Sequence, residues 1–118
     1  MKKKILITGG AGYIGSLLAT ELVELGHHVT VVDLLKYSSS SLNHLYSFEN
    51  FEFIHGDITN KKLMKKLIIK NEYIIPLAGL VGAPLCEKYK KEAIKVNYQA
   101  IKDCVSFSKN KKIIFLMS

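Results

Sequence analysis

Short apolar runs alternate along the chain with stretches whose apolar residues recur three and four positions apart. "KKILIT" (3–8) is a β-branched run that stops at a glycine cluster, and "HVTVVD" (28–33) is a second that stops at an acid. Runs of this kind suit strands buried on both faces, as in a parallel sheet. Between them Ile14, Leu17, Leu18, Leu22 and Leu25 recur at helical spacing, and Gly26 follows where a C-terminal cap is expected. The three pieces make one strand–helix–strand unit of about 30 residues.

The alternation continues. The serines at 38–41 predict a loop, followed by a weak helical or turn segment around Leu42 to Tyr46, and "FEFIHGD" (51–57) predicts a third strand. Asn60 is placed to cap a helix whose inner face is Leu63, Met64, Leu67 and Ile68. "EYIIPLAG" (72–79) predicts a fourth strand with Pro76 near its end. A glycine-containing loop from Gly79 to about Lys88 leads into a long helix ending near Lys109, and "KKIIFLMS" (111–118) is the fifth strand. With no repeat and no linker, the pattern predicts an α/β, Rossmann-type doubly wound parallel sheet of five strands in the order 3-2-1-4-5.

The length of 118 residues suits one domain, 1–118. No apolar run approaches the roughly 20 residues of a membrane span, and the basic start "MKKKILITGG" has too short an apolar stretch for a signal peptide, so no membrane association and a cytoplasmic location are expected. Cys86 and Cys104 have neither CxxC spacing nor a histidine cluster beside them, so ordinary reduced thiols and no metal are expected. The net charge of +7 raises nucleic-acid binding, but all seventeen basic residues are lysine and many, such as Lys61, Lys62, Lys65, Lys66 and Lys70, follow helical spacing. Arginine is the usual reader of base edges and phosphates, so its absence argues for a solvated helix face and against a nucleic-acid partner.

"TGGAGYIGS" (8–16) places Gly9, Gly12 and Gly15 where a strand turns into a helix, and Asp33 lies eighteen residues beyond Gly15. A glycine pattern alone is weak, but this context is that of a dinucleotide site. Gly9 would permit the tight turn, Gly12 the approach of backbone to a pyrophosphate, and Gly15 close packing of helix on sheet. Free N–H groups around Tyr13 and Ile14 would face the phosphates at the positive end of the helix dipole. Asp33 would accept hydrogen bonds from the adenosine ribose and repel a 2′-phosphate, which favours NAD over NADP. Lys36 is the one nearby residue that argues the other way.

With "TGGAGYIG", Asp33, "GDIT" (56–59), "LAG" (77–79) and "VN" (96–97) in this order, the sequence resembles the extended short-chain dehydrogenase/reductases, and more narrowly the NAD-dependent epimerase/dehydratase family acting on nucleotide sugars. The resemblance implies that Asp57 accepts from the adenine amino group and that Ile58 packs on the ring; a turn or capping role for Asp57, before Thr59 and Asn60, stays open. It implies that Leu77, Ala78 and Gly79 lie along the ribose and nicotinamide side. Asn97 would sit on the inner face of the fourth helix, in a structural or a cofactor-linked role. Pro76 departs from the histidine usual before this "LAG", and Ala100 and Ile101 depart from the glycine and threonine usual after the asparagine.

In that family a Ser or Thr ending strand five works with a later YxxxK pair, the tyrosine moving a proton on the sugar hydroxyl while hydride passes to the nicotinamide. Ser118 stands where that serine is expected, although it is also simply the end of a strand. Tyr98 and Lys102 in "NYQAIK" have the right spacing but fall on the fourth helix, before strand five, and read as a decoy. The family's pair would lie on a helix after strand five. The chain is therefore expected to be the N-terminal cofactor-binding portion of a nucleotide-sugar epimerase or dehydratase, inactive alone. The alternative is a stand-alone NAD-binding or regulatory module completed by another chain. An unprotected fifth strand would favour pairing, as a homodimer or with that completing chain.

Overall fold

A computed structural model describes residues 2–9, 12–34, 40–77, 99–108 and 112–113. In chain order the elements are β1 (Lys4–Thr8), α1 (Tyr13–Glu24), β2 (His28–Asp33), a 3₁₀ turn (Asn43–Leu45), β3 (Phe51–His55), α2 (Lys61–Lys70), β4 (Tyr73–Pro76), α3 (Ala100–Phe107) and β5 (Lys112–Ile113). The strands form one sheet in the order β3-β2-β1-β4-β5, and every pairing is parallel. This is the predicted topology. Because β1 continues to β2 on one side while β4 joins on the other, the strand order reverses next to β1, where a doubly wound sheet opens a crevice at the strands' C-terminal ends.

Both faces of the sheet are covered, which explains the continuous apolar runs. Ile5, Ile7, Val29, Val31 and Ile75 pack with Ala19 and Val23 of α1. The alternate positions Leu6, Val32 and Ile74 pack with Met64, Leu67 and Ile68 of α2, joined by Phe107 of α3. Leu6, Ile7, Ile68 and Ile74 are completely buried, and truncation of such a residue to alanine costs about 2–5 kcal/mol. The segment before β3 contributes more than its weak pattern suggested. Leu42 and Leu45 are both in the α1-side core, and Tyr46 meets Phe51 edge to face at 5.8 Å.

Two helix ends follow their sequence signals. Gly26 takes φ +92°; its N–H bonds Val23 O at 3.0 Å, and the His27 N–H bonds Leu22 O at 3.1 Å. That paired closure requires a left-handed residue, which glycine supplies without strain. At the start of α2 the Asn60 side chain accepts from the Leu63 N–H at 3.1 Å. The inner face of α1 differs from the apolar spacing. Gly15, Ala19 and Val23 are its buried residues, Leu18 and Leu22 flank them, and Ile14, Leu17 and Leu25 are exposed. Small residues let the helix axis come close to the sheet, so the large side chains are displaced to the flanks.

Candidate functional site

The C-terminal ends of β1, β2, β3 and β4 converge on one edge, tied by backbone hydrogen bonds beyond the strands. Gly9 N–H donates to Val32 O at 2.9 Å, Leu77 N–H to Thr8 O at 2.8 Å, and Gly56 N–H to Asp33 O at 3.1 Å. These bonds bring Gly9, Asp33, Asp57 and Leu77 onto the same rim of the sheet.

The glycine turn has a distinct division of labour. Gly9 takes φ +76°, the left-handed conformation that turns the chain out of β1, and the Gly12 N–H closes the turn on Gly9 O at 3.3 Å. Gly12 is different. Its backbone (φ −73°, ψ 178°) is open to any residue, and a Cβ built there meets only Gly9 O, at an ordinary 3.6 Å. Neither backbone strain nor packing among the described residues demands glycine at this position. Gly15 is one of the buried residues of α1, with Ala19 and Val23.

Gly12 is also the N-cap of α1, where it provides no side-chain cap, and the first turn carries no acidic residue. Ser16 N–H makes the first helical bond, to Gly12 O at 2.8 Å. Tyr13 is 81% exposed and Ile14 is 52% exposed. The earlier N–H groups of such a helix point outward along its axis, with the positive end of the dipole behind them. This is a favourable seat for an anion.

Asp33 ends β2 and pairs in register with His55 at the end of β3. Asp57 adopts the turn role left open above: its Oδ1 accepts from the Thr59 N–H at 2.8 Å and from the Thr59 hydroxyl at 2.7 Å. Ile58 is partly buried against the α2-side core, and Leu77 packs on the α1-side core. His55 carried no signal in the apolar pattern. Its Nε2 lies 3.1 Å from the Leu34 carbonyl oxygen, beside the acid, and only aligning β2 with β3 reveals it. Ala78, Gly79, Asn97, Tyr98 and Ser118 lie outside the described residues, whereas Lys102 is exposed on α3.

A parallel sheet of this order, with a glycine turn from β1 into an uncapped helix and an acid closing β2, defines a Rossmann-type α/β protein. The sequence profile of the NAD dependent epimerase/dehydratase family matches residues 5–118, and the chain belongs to that family. Among curated relatives, a UDP-N-acetyl-alpha-D-glucosaminuronate decarboxylase of Bacillus cytotoxicus is 37% identical over 117 residues, covering 98% of this chain and 36% of its own length. Among solved structures, UDP-glucose 4-epimerase of Thermotoga maritima, crystallised with UDP-glucose, superposes with a TM-score of 0.82 at 30% identity, over 94% of this chain and 36% of that one. A UDP-glucose-4-epimerase from Stenotrophomonas maltophila with bound NAD and formylated UDP-arabinopyranose gives 0.83 at 25% identity, over 96% of this chain and 36% of that one. The chain thus spans about a third of the length of these relatives. The family is NAD-dependent.

Proposed function

We propose that residues 1–118 are the NAD-binding unit of a nucleotide-sugar epimerase or dehydratase, in which the cofactor serves transient oxidation of a sugar hydroxyl. The observation that carries the cofactor reading is Gly12. Nothing described in the chain uses the space its missing side chain leaves, and that space lies at the uncapped, positive end of α1. A pyrophosphate lying against bare backbone accounts for both features.

In this reading the N–H groups of Tyr13 and Ile14 hold the pyrophosphate, and Gly9 and Gly15 set the turn and the helix packing that aim them. Asp33 accepts from the adenosine ribose hydroxyls and disfavours a 2′-phosphate, which selects NAD. Asp57 and Ile58 border the adenine, with Asp57 also holding its turn. Leu77, Ala78 and Gly79 line the ribose and nicotinamide side, and Asn97 ties the helix before strand five to strand four. Ser118 hydrogen-bonds the sugar hydroxyl. When bound, NAD supplies the hydride acceptor that this chain's side chains lack. The names of the relatives, which act on UDP-linked sugars, support a nucleotide-sugar substrate for the complete protein. No proton-moving Tyr–Lys pair is assigned within these residues, so the unit alone is expected to bind cofactor without turning over a UDP-hexose.

Calorimetric titration of the full chain with NAD and with NADP tests the reading. Saturable binding of NAD, and weaker binding of NADP, is expected. A folded sample that binds neither would overturn it.

A further inference from the structure

Two successive carbonyls at the exit of β2 are held by two successive residues at the exit of β3. The Asp33 carbonyl accepts from the Gly56 N–H at 3.1 Å, continuing the parallel ladder. The next carbonyl, that of Leu34, is met instead by the His55 ring, with Nε2 at 3.1 Å. A carbonyl oxygen only accepts, so this contact fixes the proton on Nε2. The imidazole thereby extends the sheet's grip on β2 by one residue through a side chain.

Asp33 and His55 are register partners, so their side chains leave the same face of the sheet. It is the α1 face, because Val31, two residues before Asp33, packs in the α1-side core, and Phe53, two before His55, packs against it. The backbone that His55 pins is therefore the residue immediately after the acid, on the side where α1 begins. A carboxylate at a strand end points according to the backbone on both sides of it. The Gly9 N–H on Val32 O, at 2.9 Å, holds the peptide before Asp33; the Gly56 bond holds the peptide after it, and the His55 bond holds the next carbonyl in line, so that the chain leaving the acid is fixed over two successive peptides.

We propose that His55 is a positioning residue for the adenosine ribose: by donating to the Leu34 carbonyl it holds Asp33 in the orientation that takes the 2′,3′-diol, and so contributes to the preference for NAD over NADP. The proposal rests on this edge being the NAD site. His55 touches the backbone and acts through Asp33. Its removal should weaken the diol contact more than the rest of the cofactor's contacts.

The test is titration of the full chain and of His55→Leu and His55→Gln with NAD and NADP, together with urea unfolding of each. Glutamine places an N–H donor near the position of Nε2, whereas leucine keeps the bulk without the donor. The expected result is a loss of NAD affinity of about fivefold in His55→Leu, the scale of one net hydrogen bond. NADP affinity should fall less, so the NAD/NADP ratio narrows, and His55→Gln should stay within about twofold of the parent. Equal losses for both nucleotides with no rescue by glutamine, or an unchanged NAD affinity in His55→Leu, would overturn the proposal while leaving the NAD site standing. Binding of neither nucleotide to the parent chain would remove the NAD site itself, and this role with it. His55 is exposed, so the leucine variant is expected to fold, and His55→Ala against His55→Gln gives the same comparison if it does not.

Discussion

A Cβ placed on Gly56 would fall 2.6 Å from Cδ2 of Leu63, so the exit of β3 touches α2 with bare backbone. The obstructing atom is the end of a flexible side chain that is only partly buried, and it can rotate away at a cost. Gly56→Ala is therefore expected to destabilise by only about 1 kcal/mol, near the low end of overpacking penalties, because the lower entropy of the unfolded chain offsets part of the strain. In a Leu63→Ala background the same change should be neutral or favourable. Urea midpoints for the four proteins of this cycle check it, and an unchanged loss in that background would place the strain elsewhere.

Gly12 should behave in the opposite way, because its Cβ would meet only ordinary contact and its φ of −73° suits any residue. Gly12→Ala is expected to leave stability within about 0.5 kcal/mol. NAD affinity should nevertheless fall by at least about tenfold, since the added methyl occupies the space left for the pyrophosphate. Unfolding curves and NAD titration of the same sample separate the two effects. A variant that binds NAD normally would show that the bare backbone at Gly12 has another purpose.

Asn50 locks the end of α1 to the start of β3. Its amide nitrogen donates to Val23 O at 3.0 Å and to His27 O at 2.8 Å, while His27 Nδ1 accepts from the Lys3 N–H at 3.0 Å. Asn50→Ala leaves two partly buried carbonyls without this donor and should cost about 1–2 kcal/mol. Asn50→Asp should cost more at neutral pH, because it turns an ionised acceptor toward two acceptors. Denaturation at pH 7 gives the order, and an aspartate variant as stable as the parent would rule out the amide as the operative donor.

Much of this architecture is legible in periodicity and in punctuation. The span of β2, the Gly26 cap, the Asn60 cap and the inner face of α2 follow from local residue chemistry, and the sheet order follows from the alternation of strand and helix. The inner face of α1 does not, because counting apolar positions ignores size: Gly15 and Ala19 are inside since they let the helix approach, and Ile14 and Leu17 are left outside. Leu42 and Leu45 become core residues only because a short turn is laid under α1. The glycine turn and Asp33 are visible in one strand–helix–strand unit, whereas the pairing of Asp33 with His55 depends on register between strands far apart in sequence. Asp57 illustrates a residue whose turn role is seen only in the geometry, where its Oδ1 is engaged by Thr59.

The N-terminus of α2 is electrostatically mismatched, and this gives a prediction that separates charge from packing. Lys61 and Lys62 occupy the first turn, with no acidic residue there, so two cations face the positive end of the dipole. Lys61 and Lys62 are also followed at four-residue spacing by Lys65 and Lys66, adding like-charge repulsion along the same exposed face. The Asn60 side chain, 3.1 Å from the Leu63 N–H, is the cap that offsets this, and Asn60→Ala should cost about 1 kcal/mol. Lys61→Glu should instead stabilise by about 0.3–1 kcal/mol, because it complements the dipole and replaces a like-charge spacing to Lys65 with an opposite-charge pair of the better orientation. The gain should be largest near 0.01 M salt, where the Debye length is about 30 Å, and should shrink by 1 M, where it is about 3 Å. The asparagine effect, a short hydrogen bond, should change much less. Melting temperatures of both variants across that salt range provide the check, and a Lys61→Glu gain that persists undiminished at high salt would mean the lysine was limiting stability through its packing and not its charge.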